Sequence, residues 1–203
     1  VGSEMCIRDS IEDYRQSGGL DLLGVLLFHE SGDIEPGVIR SVMEMRSALA
    51  PDVARLAAKR RTPAVLEALR STVAEMEAAI DDLSQLQDWA GLFWSHLVDG
   101  ADNIAYRLAF NSLRQGYKQS QELFSHVLEE ELRALPLYHR IIDAVEHGDT
   151  ASAMEGARTL IRCGEEAVTK ALRAYESAQE SEAEAAEVPV SYTHLTLPTS
   201  VIG

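Results

Sequence analysis

From Pro36 onward the hydrophobic positions recur at helical spacing. Val38, Val42, Met45 and Leu49 step by four, three and four residues. Leu66, Leu69, Val73, Met76 and Ile80 step by three and four in alternation, and Leu83, Leu86, Ala90, Phe93 and Leu97 repeat that stepping. Shorter stripes follow at Tyr106, Phe110, Leu113 and Tyr117, at Leu137, Ile141 and Ala144, and at Ala153, Ala157, Leu160 and Gly164. Such spacings lay one apolar stripe along an α-helix, and no segment alternates convincingly at period two, so no sheet is expected. Thr62-Pro63 supplies an N-cap with proline at the first helical position, and Gly148-Asp149 stops one helix and caps the next. Pro51 falls inside a longer pattern and predicts a kink or break. The reading is all-α: an antiparallel bundle of about six to seven helices over residues 36–178.

The flanks read differently. Residues 11–35 contain the Gly18-Gly19 and Gly32-Asp33 breaks around one short apolar segment, which predicts an interdomain linker with a short helix. Residues 179–189 are acidic and lack large apolar side chains, which predicts a frayed tail. EMCIRDS (Glu4 to Ser10) back-translates as GAG ATG TGT ATA AGA GAC AG, and VSYTHL (Val190 to Leu195) as GTC TCT TAT ACA CAT CT, its reverse complement. That string resembles the transposon end used in sequencing libraries. Residues 1–10 and 190–203 are therefore expected to be adapter-derived and to carry no fold information.

Charge narrows the function classes. The formal net charge is −15, of which Glu4 and Asp9 against Arg8 account for one unit and leave −14 for the remainder. A surface this acidic repels phosphate backbones, so this segment is not expected to bind nucleic acid by itself. The longest apolar run, Leu22 to Phe28, is far below the ~18 residues of a membrane span. Cys163 stands alone once Cys6 is set aside, so no disulfide framework is expected, which fits a reducing cytoplasm. No glycine-rich phosphate loop, nucleophile elbow or paired CxxC occurs, and His29-Glu30 has no second His at zincin spacing; an enzyme is not expected. The run Glu129, Glu130, Glu131 reads as a solvated helix face, because burying like charges together is costly.

Four landmarks occur in order: DYRQSGGLDLL (Asp13 to Leu23), VMEMRSALAPDVARLAAKR (Val42 to Arg60), FWSHLVDGADN (Phe93 to Asn103) and AVEHGDTASAMEGA (Ala144 to Ala157). Together they resemble the C-terminal effector-binding (FCD) domain of FadR-type regulators in the GntR superfamily of bacterial transcription factors, over about residues 13–172. The resemblance implies a homodimer whose affinity for operator DNA is switched by a small molecule held in the bundle. DNA contact would then belong to a winged helix-turn-helix upstream of Ile11.

Many domains of this family hold a divalent metal with an Asp and a His one turn apart and two further His. On the family's register those positions fall on Ala90, Trp94, Tyr138 and Leu160, while His96 and His139 lie off register. The resemblance therefore implies no metal and no cofactor here, with a metal-dependent, small-carboxylate-sensing domain as the alternative and a ligand-free helical interaction module as another. Without polar ligands, and with Trp94 and Tyr138 in their place, the pocket is expected to suit an acyl-CoA or another amphipathic carboxylate. Arg46 occupies the family's arginine position. Two readings stay open for it: a contact to an anionic ligand group, or an intrahelical pair with Asp52 or Glu44. Asn103 reads as a helix cap, Tyr106 as core and Asn111 as the polar contact. Arg158 and Arg162, one turn apart on the last helix, are expected either to meet a phosphate or carboxylate or to be solvated.

Overall fold

The computed structural model describes residues 17–27, 34–118 and 121–186, with side chains described outside 115–123 and 182–186. A 3-10 turn at Leu20–Leu22 leads into α1 (Leu23–Leu26). The bundle follows as α2 (Pro36–Arg60), α3 (Pro63–Ala78), α4 (Leu83–Ala101), α5 (Ile104–Lys118), α6 (Gln121–Val127), α7 (Glu129–Leu132), α8 (Leu135–His147) and α9 (Thr150–Ala186). No β-strand occurs among the described residues. None of the helices is long and apolar enough to cross a membrane. Residues 1–10 and 190–203, read as adapter-derived, lie outside the described residues.

Local chemistry sets the helix ends. The Thr62 hydroxyl accepts from Val65 N (3.3 Å), and Pro63 opens α3. Asp82 caps α4 by accepting from Gln85 N (3.0 Å). Asn103 caps α5, its Oδ1 accepting from Ala105 N (3.0 Å). Gly148 takes φ +68° at the end of α8, where a side chain would be strained, and Asp149 Oδ1 accepts from Ser152 N (3.0 Å) to start α9. Backbone amides hold the Asp82 and Asp149 carboxyls below the usual carboxylate range.

α2 packs chiefly on α9 and α4, α3 on α4, and α8 on α9. The core is continuous from Ile39 on α2 to Leu172 on α9. Leu69, Val73 and Met76 on α3, and Leu86, Phe93 and Leu97 on α4, are fully buried, as their spacing predicts. On α2 the buried residues include Ile39, Met43, Ala50, Val53 and Ala54. The predicted stripe Val38, Val42, Met45 and Leu49 is only half-buried. It lies about one residue, roughly 100°, around the helix.

The structure places three segments that the sequence singles out. α2 runs unbroken through Pro51, which is buried inside it. Within the residues read as a linker the expected short helix forms, and it packs on the bundle: the 3-10 turn and α1 meet α5, Leu27 is buried, and Leu27 O accepts from Glu35 N (2.9 Å). α9 continues to Ala186, into the acidic residues read as a tail; alanine, glutamate and glutamine are good helix formers, so composition does not end the helix there.

Candidate effector cavity

The apolar faces do not meet everywhere. Between α2 and α4, beneath α1 and α5 and closed at one end by α6 and α7, lies a partly enclosed cavity of about 200 Å³. Ile39, Val42, Met43, Leu49 and Val53 form the α2 wall. On α4 the residues Gln87, Ala90, Gly91, Trp94 and Val98 recur at three- and four-residue spacing and so share one face. Tyr106, Phe110 and Leu113 roof it from α5, Leu23 and Leu27 from the α1 side, and Phe124, Leu128, Glu131 and Leu132 close the end. The space exists partly because position 91 has no side chain, since a Cβ there would meet nothing within 4 Å.

A polar wall interrupts this apolar lining. Arg46 reaches from α2 to the carboxylate of Glu131 on α7. Of the intrahelical partners read for Arg46, Asp52 pairs with Arg55 instead (2.6 Å) and accepts from the Tyr106 hydroxyl (2.9 Å). The Arg55 guanidinium beside Asp52 holds its carboxyl below the usual range, and the Asp52 carboxylate pushes the Tyr106 phenol up.

Glu131 overturns the solvated reading of the acidic run, because it is only 2% exposed. Its neighbour Glu129 is half-buried and Glu130 is exposed, so the like charges are not buried together. Burial pushes the Glu131 carboxyl above its ordinary value despite Arg46, which acts to lower it. Glu131 Oε2 has no hydrogen-bond partner, and a Cβ at Gly164 would collide with that oxygen. Glycine on α9 thus makes room for a buried carboxylate. Helical periodicity could not reveal it, since the two glutamates before it point elsewhere.

Of the six residues singled out in the sequence, Arg46 and Trp94 line the cavity. The other four lie elsewhere. Asn111 is exposed on α5. Tyr138 is fully buried in the core and meets Phe93 edge-on, ring centroids 4.9 Å apart. Arg158 is exposed and paired with Glu155 (2.8 Å), and Arg162 is exposed beside Glu166 (3.9 Å), so α9 turns both toward solvent. Sequence reasoning missed Gln87, whose buried amide breaks an otherwise apolar face. A glutamine two turns before Trp94 on the cavity face was the available signal.

The family's metal positions do not fit a metal in this chain. Ala90, Trp94 and Leu160 offer no carboxylate or imidazole, and Tyr138 packs into the aromatic core. His139 is exposed and meets Glu77 (2.8 Å). Among the described residues no three His, Cys, Asp or Glu side chains group to hold an ion.

The FCD domain model matches residues 41–163, the stretch that contains most of the cavity wall. Two curated proteins are each 31% identical over 152 residues, covering 75% of this chain: the HTH-type transcriptional regulator Mce2R of Mycobacterium tuberculosis and the uncharacterized HTH-type transcriptional regulator Mb0601 of Mycobacterium bovis. The chain spans 62% of the length of these relatives. The bundle and the family match together place it: this chain belongs to the FCD-domain family.

Proposed function

We propose that this domain is the effector-sensing, dimerising half of a cytoplasmic GntR-family regulator, and that its effector is an amphipathic acid, an acyl-CoA or another organic carboxylate, bound without metal. One observation carries the reading: an apolar cavity of about 200 Å³ has a guanidinium, Arg46, in its wall. That volume exceeds the roughly 150 Å³ that admits a benzene in a protein core and falls short of the roughly 300 Å³ of drug-sized pockets, which favours a short or medium acyl chain. An anionic head group would share Arg46 with Glu131. Exposed Val25, Ile104 and Leu108 on α1 and α5 support a second copy as the protein partner. The two relatives, named as HTH-type regulators, support operator DNA as the eventual target, met through a winged helix in the full-length protein.

Thermal shift of this chain against octanoate, octanoyl-CoA, a small dicarboxylate and zinc tests the reading, because a ligand that binds only the folded state raises its stability. Stabilisation by octanoate or octanoyl-CoA, lost in Gly91→Leu, is the expected result. Stabilisation by zinc alone would favour the metal-dependent reading, and no shift with any of the four a filled interaction module. Light scattering in solution checks the dimer.

A further inference from the structure

We propose that Gln87 and Trp94 form a second polar subsite in this cavity, and that its occupant is an amphipathic acid carrying an internal hydroxyl or amide group. The inference rests on the acid-binding reading above and narrows it. Gln87 is 6% exposed, and neither Nε2 nor Oε1 of its side chain has a hydrogen-bond partner. Trp94 is 9% exposed, and its indole Nε1 has none either. Buried amide groups are nearly always satisfied, so a glutamine orphaned at both ends calls for a reason. The two residues flank Ala90 and Gly91 on one face of α4, about 10 Å apart along the helix, and the space at Gly91 is open. Both residues line the cavity, where an occupant can meet their side chains.

The chemistry of these groups restricts the occupant. Gln87 offers a donor and an acceptor, and Trp94 a donor alone. A methylene satisfies none of the three, and a ketone or ether oxygen only the donors. A hydroxyl or a secondary amide both gives and accepts, and so satisfies Gln87 at both ends. The charged end of the ligand is a separate matter, because the cation and anion of the polar wall, Arg46 and Glu131, already face each other. The same chemistry has two sources: a hydroxylated acyl chain, or an amide linking the chain to its carrier.

Calorimetric titration of this chain with octanoate, 3-hydroxyoctanoate and N-hexanoylglycine separates them. At least one of the latter two is expected to bind roughly tenfold tighter than octanoate, the hydroxy acid or the amide according to the source, since a site built to hydrogen-bond discriminates strongly against an analogue that lacks the group. Gln87→Leu is expected to lose most of that preference and to melt higher than wild type when unliganded. Trp94→Phe, which keeps the aromatic body, is expected to weaken the preference as well. If both oxygenated probes bind within about threefold of octanoate, or if Gln87→Leu keeps the preference, the subsite is overturned while the acid-binding reading stands. If none of the three acids binds, that reading fails and takes the subsite with it.

Discussion

Arg46 on α2 holds the carboxylate of Glu131 on α7, 85 residues further along the chain, and Gly164 on α9 leaves the space in which that carboxylate sits. The pair is asymmetric. Arg46 keeps partial access to solvent, with its side chain 22% exposed, whereas that of Glu131 is 3% exposed. Desolvation therefore falls mainly on the acid, and a single guanidinium does not offset it. The folded-state acidity of Glu131 is set by that imbalance.

A pH dependence with a definite sign follows. The Glu131 carboxyl is raised in the folded state, so the native protein holds this proton more tightly than the unfolded chain does. Stability contributed by the protonated form is present at low pH and is lost as pH rises through the raised value. Glu131→Gln removes the titration and keeps an acceptor for Arg46. Its stability relative to wild type should therefore improve from pH 5 to pH 8 in urea denaturation; a difference constant with pH would refute the assignment.

The same substitution should act in opposite directions at two glycines. At Gly91 a Cβ meets open space, and mid-helix Gly→Ala gains about 0.5–1 kcal/mol from backbone entropy. At Gly164 a Cβ would collide with Glu131 Oε2 and come within 2.9 Å of Leu128 Cδ2. Gly164→Ala should cost about 1–3 kcal/mol, the usual range for overpacking. Thermal melts of both variants decide the signs.

Ligand affinity should follow the cavity and not the wider arginine set. Arg46→Met is expected to weaken octanoyl-CoA binding by about tenfold or more, as loss of a charge-assisted contact does. Arg158→Ala and Arg162→Ala, both on the solvent side of α9, should leave it within about twofold. A large loss from either of the last two, measured by titration, would place the head group on α9 instead.

The roof over the cavity should be the first element to open. Among its described residues α5 has none that is buried, and Ile104 is 74% exposed. Tyr106 ties it to α2 by donating to Asp52 Oδ2 (2.9 Å). Tyr106→Phe should cost about 1 kcal/mol. It should also speed amide exchange in α5 ahead of α2 and α4. Uniform acceleration across the bundle would show instead that α5 does not open on its own.

Periodicity and punctuation determined the helices by themselves. Stripes such as Leu69, Val73 and Met76 are buried where their spacing puts them, and Thr62-Pro63 and Gly148-Asp149 end helices where they stand, because capping and three-to-four spacing are local properties. The four landmarks likewise suffice for the family. The site was only half legible. Arg46 and Trp94 reach the cavity, but Asn111, Arg158 and Arg162 turn to solvent and Tyr138 to the core, because which side of an amphipathic helix meets a cavity depends on a rotation that spacing leaves undetermined. The same freedom hid the Arg46 to Glu131 pair. Whether one glutamate in a run of three is buried depends on a distant glycine, Gly164, and on a cation from another helix. Only packing brings those groups together, and the orphaned amide of Gln87 acquires meaning only once the open space beside Gly91 is known.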